Sequence, residues 1–351
     1  MASKVKIQDI ADRAGLSRNT VSKIFNGKYN GPEKTRDYVL QIAVDMEYKE
    51  YGLIKKVKDE KSPFTNTKNI LILTKGDIIN SNFFSYIVNE IQNRIEGEGY
   101  TLLLSNIREV DIEVMQLPAN LENGIVDGIV CMELFDKKYI EKLLSIGIPT
   151  VFVEFYYEAW VIQGNYDIIM MNNEFQICQM VNSLIKSGFR KIGFVGDYRH
   201  CRGFYERYMG YTNALKEHNI PIDPKLCMVE EDGDVYFDLD LICSKIKMMD
   251  PVPDVFVCVN DAIAINIIKS LKRLGYSVPG EVQIISFDDI AEAAAMNPTL
   301  TTIRIFKEEL GRSAIDILLD RMEYPNKKRR IVYVDTERII RESTNRNINW
   351  L

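Results

Sequence analysis

Residues 6–27 constrain the fold of this chain more than any other stretch. Ile7, Ile10, Ala11 and Ala14 recur at i, i+3, i+4 and i+7, which gives a first helix one apolar face and turns Asp9, Asp12 and Arg13 to water. Gly15 follows, a residue that lets the chain leave one helix at positive φ and enter the next at once. Ser17 is then an N-cap candidate, and Val21, Ile24 and Phe25 form the inward stripe of a second helix. Its outward face is Arg18, Asn19, Ser22, Lys23 and Asn26, all donors to phosphates or base edges and none a carboxylate. A third helix is predicted from Gly31-Pro32-Glu33, with Pro at its first position and Val39, Ile42, Ala43 and Met46 buried. Two short helices around a tight turn, backed by a third, match the helix-turn-helix that lays a helix in a major groove. The competing reading is a plain three-helix bundle with a polar surface.

Charge separates the two. Residues 1–58 hold 12 Lys plus Arg and 7 Asp plus Glu, a net of +5, so the remainder carries −11 of the overall −6. A basic head on an acidic body focuses polyanion attraction at one end, whatever the total charge.

The 351 residues, 46% of them hydrophobic, suffice for two or three cores. No apolar run approaches the roughly 18 residues of a membrane span, and the start, Met-Ala-Ser-Lys-Val-Lys-Ile, has no apolar stretch of a secretory signal. Cys131, Cys178, Cys201, Cys227, Cys243 and Cys258 are widely spaced and read as reduced core residues of a cytoplasmic protein. His200 and His218 are the only histidines and have no metal spacing; no Gly-x-Ser-x-Gly, Walker loop or complete Gly-x-Gly-x-x-Gly occurs. Neither an enzyme nor a metal or other cofactor is expected.

Residues 59–68 are polar with a Pro and read as a linker after a head and hinge at 1–58. Beyond it, short apolar runs alternate with helical stretches: Ile70–Leu73, a helix with Phe84, Ile87, Val88, Ile91 and Ile95, then Leu102–Leu104, Ile125–Cys131, a helix over Tyr139–Ser145, and Thr150–Val153. A second set is predicted near Ile168–Met170, Lys191–Val195, Leu226–Val229, Val255–Val259 and Val282–Ser286. Alternation of this kind means parallel sheets covered on both faces, and two such lobes leave a ligand cleft at the carboxyl ends of their strands. The expected lobes are 69–163 with 292–325, and 164–291 with 326–345.

The whole text resembles the lactose-repressor/galactose-repressor family of transcription regulators. In the head the resemblance rests on Ile7-x-x-Ile10-Ala11-x-x-Ala14-Gly15-Leu16-Ser17-x-x-Thr20-Val21-Ser22-Lys23-x-x-Asn26-Gly27 and Thr35-Arg36-x-x-Val39. In the body it rests on Ser81-Asn82-Phe83-Phe84, Gly188-Phe189-Arg190-Lys191-Ile192, Arg207-Tyr208-Met209-Gly210-Tyr211, Asn260-Asp261, Ser286-Phe287-Asp288-Asp289 and Leu300-Thr301-Thr302-Ile303-Arg304. It implies a helix-turn-helix head joined to a two-lobed core of the type I periplasmic-binding-protein kind, parallel sheets flanked by helices. It further implies a homodimer, with a tetramer as the alternative, on near-palindromic operator DNA, and a repressor governed by a small-molecule effector. Arg18, Asn19 and Lys23 fall where bases are read; Ser17, Ser22, Asn26, Asn30 and Thr35 fall where phosphates are held; Lys6, Thr20, Tyr48, Lys55 and Val57 also fall at the DNA.

The hinge departs from the family. Tyr48-Lys49-Glu50-Tyr51-Gly52-Leu53-Ile54-Lys55-Lys56-Val57 lacks the usual Pro-Asn, and Val57 stands where a minor-groove Leu is usual. Lys6 replaces the usual Thr cap of the first helix. For the effector, the resemblance points to Phe83, Phe84, Glu154, Arg207, Asn260 and Asp288, a mix of donors, carboxylates and aromatic faces that suits a sugar or sugar derivative. The competing reading makes Asp288-Asp289 a helix cap and Phe83 or Phe84 core. A sugar-binding protein of a transport system would share the body, but needs a secretion signal and no basic head.

Overall fold

The computed structural model describes residues 5–25, 29, 31–46, 48, 67–75, 82–231 and 234–350. It divides into two compact units, residues 1–67 and 68–351. The expectations for Asn26, Asn30, Lys55, Val57 and nearly all of the 59–68 linker lie outside the described residues, as does the side chain of Phe83.

The first unit contains α1 (Ile7–Ala14), α2 (Arg18–Phe25) and α3 (Glu33–Asp45). The start of α1 is held from within: Lys6 contributes no side-chain cap, and the Asp9 carboxylate instead accepts the Lys6 N–H at 2.7 Å. Gly15 ends the helix at φ 66°, and Leu16 N–H returns to the Ala11 carbonyl at 3.0 Å, closing a Schellman-type stop whose Leu packs on the core. The Ser17 hydroxyl accepts Thr20 N–H at 3.1 Å and caps α2 as expected. Ile10, Ala11, Val21, Ile24, Phe25, Val39, Ile42 and Ala43 form the core, and Met46 packs half-buried against it.

The second unit opens with β1 (Asn69–Thr74), buried on both faces: Ile70 and Ile72 enter one apolar cluster, Leu71 and Leu73 the other. Around it are β2 (Thr101–Asn106), β3 (Gly128–Met132), β4 (Thr150–Val153), β5 (Tyr166–Met171) and β10 (Ile331–Val334), in the all-parallel order β10-β5-β4-β3-β1-β2. Helices α4 (Asn82–Glu96) and α13 (Lys307–Glu323) supply one apolar layer, and α7 (Lys137–Ser145) supplies Tyr139, Ile140 and Leu143 to the other; α5 (Glu109–Glu113) and α6 (Ala119–Glu122) are short turns beside it.

The second lobe holds β6 (Ile192–Val195), β7 (Val255–Cys258) and β8 (Gln283–Ile285), parallel in that order, with the antiparallel pair β9 (Thr302–Ile305) and β11 (Thr336–Ile339) bridged to its edge. Its helices are α8 (Asn173–Lys186), α9 (Arg202–Glu217), α10 (Leu239–Met248), α11 (Asp261–Arg273) and the short α12 (Ala291–Ala295). All six cysteines are free, and each is buried or half-buried.

The lobe boundaries differ from those expected. β5 and β10 belong to the first sheet, since Thr150–Val153 pair with Tyr166–Ile169 and Ile331–Val334 with Ile168–Met171. β9 belongs to the second lobe, paired with β11 and bridged to Ile285. Such strands are only four to six residues long, and pairing across the chain, which local periodicity does not encode, decides which sheet they join. The strand expected at Leu226–Val229 is instead a 3₁₀ turn, Pro224–Leu226, capped by Asp223, followed by a single bridge from Met228 to Val195. The chain thus passes between lobes three times, after β5, after β9 and between β10 and β11. Two of these passages are tied together by the Asn172 N–H on the Val334 carbonyl at 3.0 Å.

Under the first sheet, Asp167 at the start of β5 is wholly buried and held bidentately by Arg321, 2.6 and 2.7 Å, and by Arg330 at 2.7 Å. Burial alone would raise its pKa, but the hydrogen bonds from the two guanidiniums outweigh that and leave the carboxyl below its ordinary range.

Candidate functional site

On the head, Arg18, Asn19 and Lys23 are exposed on α2 opposite its buried Val21, Ile24 and Phe25, as the helical spacing predicts. Lys6 and Ser17 are also exposed, and Thr20, Ser22 and Thr35 half-buried. Tyr48 is 5% exposed and its ring stacks on Phe25 with centroids 5.6 Å apart, so it is also a member of the head's core.

In the body, a cavity of about 450 Å³ opens where strand ends of both lobes meet. Of the expected residues with described side chains, Phe84, Glu154, Arg207, Asn260 and Asp288 all line it. Arg207 is its centre. Only 2% exposed, this side chain reaches from α9 with Nε on Asn173 Oδ1 at 3.0 Å, Nη1 on the Val259 carbonyl at 2.8 Å and on Asp288 Oδ1 at 3.3 Å, while its plane lies 3.8 Å over the Phe287 ring. The guanidinium is thereby fixed by packing and by every neighbour it touches.

Asp288 follows β8 at φ 116°, a backbone region that non-glycine residues enter only where surrounding structure compels it. It is not a helix cap: α12 starts at Ala291, and the Ile290 N–H goes to Asp261 Oδ2 at 2.9 Å. Asp261 also takes Thr302 Oγ1 at 2.6 Å and the Ser286 hydroxyl. Burial raises the pKa of both carboxyls, and the Asp288 charge raises that of Asp261 further. Asn260 caps α11, its carboxamide oxygen accepting Ile263 N–H at 3.0 Å, which leaves its N–H donors for the cavity. Phe84 answers to both readings, since it is 2% exposed in the core and also part of the cavity wall.

Glu154 lies just past β4 at φ 70°, with Oε1 accepting the N–H of Gly203 at 2.9 Å and of Phe155 at 3.2 Å. Burial pushes its carboxyl up to about 7, against the pull of Arg207. Glu133, just past β3 at φ 51°, is exposed to the open cavity, and the surrounding protein and then the Asp288 charge push its carboxyl up to about 7. The sequence reading missed Glu133, Phe135, His200 and Phe204, which also line the cavity, and Asn173, which aims Arg207. Glu133 had a usable signal: like Glu154, it is the carboxylate directly following an apolar strand run. A larger groove of about 850 Å³ lies along α8, α9 and Tyr333; in it Arg202 pairs with Glu206 at 2.9 Å and the Asn213 amide donates to Glu174 at 2.8 Å.

Among the described residues, no group of three or more His, Cys, Asp or Glu side chains is placed to hold a metal ion, and no helix is long and apolar enough to cross a membrane.

Comparison with known proteins agrees with this geometry. Residues 6–50 match the family of bacterial regulatory proteins, lacI family, and residues 181–344 match a periplasmic binding protein-like domain. The ribose operon repressor of Haemophilus influenzae is 26% identical over 340 residues, covering 96% of this chain and 98% of that protein. Among solved structures, the transcriptional regulator CelR–cellobiose complex superposes with a TM-score of 0.69 at 21% identity, over 97% of this chain and 99% of that one. The lac repressor dimer bound to operator and the anti-inducer ONPF does so with a TM-score of 0.66 at 19% identity, over the same shares. With a lacI-type head and a periplasmic-binding-protein-like body in one chain, the protein belongs to the lacI family of bacterial regulatory proteins, and it is a DNA-binding transcriptional regulator rather than an enzyme.

Proposed function

We propose that the protein is a cytoplasmic repressor that binds a near-palindromic operator as a homodimer and changes its operator affinity when a carbohydrate enters the cavity between the lobes. The observation that carries this reading is the Arg207 cluster: a rigidly held guanidinium, Asn260 donors and carboxylates at strand ends, all lining one 450 Å³ cavity. Fixed acceptors and donors around an aromatic wall suit a polyhydroxylated ring. On the DNA side, Arg18, Asn19 and Lys23 read base edges. Lys6, Ser17, Thr20, Ser22, Thr35, Asn26 and Asn30 hold phosphates, with the Tyr48 hydroxyl, Lys55 and Val57 at the hinge.

A dimer is supported by apolar surface that a monomer has no reason to expose. Phe237, Leu241 and Met248, on and just before α10, are 59%, 47% and 85% exposed. Two heads on a two-fold axis double the contacts that one small head offers. Gel-shift stoichiometry and footprinting on the flanking DNA, with and without a panel of sugars, test the reading. Two chains per site and a sugar that alters occupancy are expected; one chain per specific site would overturn the dimer.

A further inference from the structure

A cleft holds an anion with two devices, the free N–H groups at the start of a helix and a guanidinium beside them. Both are present here, and carboxylates of the chain itself already occupy both. Glu154 Oε1 takes the N–H of Gly203, the second residue of the 16-residue α9, at 2.9 Å. Asp288 takes Nη1 of Arg207 at 3.3 Å, an atom that also donates to the Val259 carbonyl, while Nε goes to Asn173. Gly203 is what admits Glu154: a Cβ at residue 203 would lie 2.1 Å from Glu154 Oε2. The two residues are a matched pair, in which a carboxylate fills the space of a side chain that position 203 does not have. Glu133 and Glu292 add further negative charge to the lining, against the one ammonium of Lys307, whose charge acts on Asp288.

We infer that this cavity is built to refuse anions, so that the effector is a neutral or amine-bearing polyhydroxy compound and its phosphorylated or carboxylated counterpart is rejected. The polyhydroxy part rests on the reading proposed above; the refusal of anions does not. Above pH 7, where Glu154 and Glu133 are mostly ionised, their carboxylates accept hydrogen bonds and donate none, so hydroxyl or ammonium donors satisfy them. A phosphate in their place sets acceptor against acceptor and like charge against like charge.

The test uses the full-length protein and thermal melting at a pH above 7, so that both carboxylates are mostly ionised, with matched sets of ligands: glucose, glucosamine, glucose 6-phosphate and gluconate, then the galactose and ribose equivalents. In any set that stabilises the protein, the phosphorylated or carboxylated member should bind at least about tenfold more weakly than the neutral one. Millimolar inorganic phosphate should leave the wild type unchanged. It should raise the melting temperature of Glu154→Ala, in which the Gly203 N–H is freed beside Arg207. Glu154→Gln keeps the shape and removes the charge, so it should narrow the gap between sugar and sugar phosphate, and it carries the test if Glu154→Ala fails to fold. A sugar phosphate that binds the wild type as tightly as its neutral partner overturns the inference, as does a Glu154→Ala protein that folds and ignores phosphate. If no sugar of any charge binds while Glu154→Ala gains phosphate, the refusal of anions stands and the carbohydrate reading falls.

Discussion

Arg207 and Asp288 should prove unequal partners, and the inequality can be worked from their surroundings. Replacing Arg207 by Met keeps a long apolar stem over Phe287 but strands three acceptors: Asp288, Asn173 Oδ1 and the Val259 carbonyl. Breaking a buried ion pair from one side costs about 3–5 kcal/mol, and Asp288, with 26% of its side chain reaching the cavity, recovers part of that through water. The stranded Asn173 and Val259 oxygens, both buried, add about 1–3 kcal/mol, so a total near 4 kcal/mol is expected for Arg207→Met. Asp288→Asn leaves Arg207 its other two acceptors, an amide oxygen and the nearby Glu154 carboxyl as a remaining counter-charge, and should cost about 1–2 kcal/mol. The double variant should then be less damaged than the sum of the two by more than about 1 kcal/mol, because the stranded carboxylate is gone. Urea unfolding of all four proteins measures the cycle, and gel shifts should show operator binding retained wherever the body stays folded. Equal single costs with no coupling would mean that the pair does not hold the cavity together, and the effector site would have to be sought elsewhere.

Asp167→Asn should lower stability by about 3–5 kcal/mol, since it leaves the buried Arg321 without its counter-charge. Because the folded-state pKa of Asp167 is depressed, its contribution is present above the unfolded carboxylate range and is lost as pH falls through the folded value. The variant should therefore lose less stability on acidification than the wild type; identical acid profiles would refute the role. Glu154 has the opposite sign. Raised to about 7, it favours the fold at low pH, and its contribution disappears as pH rises through that value, so Glu154→Gln should flatten the decline in melting temperature between about pH 5 and 8. Replacing Arg18, Asn19 or Lys23 by Ala should relax preference at one or two base pairs per half-site and leave non-specific affinity nearly intact; equal loss on all sequences would indicate phosphate or folding roles. Wild-type operator affinity should fall by roughly a thousandfold between 50 and 200 mM salt if about six phosphates are neutralised.

What could be read from the sequence was what neighbouring residues decide. Ile7, Ile10, Ala11 and Ala14 lie within two helical turns, Gly15 and Ser17 act on their own backbone neighbourhood, and the head was legible to within its caps. In the body the alternation of strand and helix was legible for the same reason. The partition of strands was not: Ile168–Met171 and Ile331–Val334 are apolar tetrads like any other, and only pairing across some 160 residues puts them together. At the site, Arg207, Asp288, Asn260 and Glu154 were found because they carry family motifs or end a strand. Asn173 was not, because its importance lies in holding Arg207, a relation between two helices that the sequence does not announce. Tyr48 was singled out only because it begins the hinge text, and the stacking of its ring on Phe25 in the head's core was not legible there.

The three passages between lobes bear on how the protein can be made. The first sheet takes an edge strand from Ile331–Val334 and a covering helix from Lys307–Glu323, so it stays incomplete while the ribosome is still translating most of the second lobe. Until then β5 has an unpaired edge and the Asp167 carboxylate lacks both arginines that later neutralise it. Synthesis from amino to carboxyl end therefore delivers a finished head well before either lobe is closed. A nascent chain can thus present its helix-turn-helix head long before it has a cavity through which an effector can act.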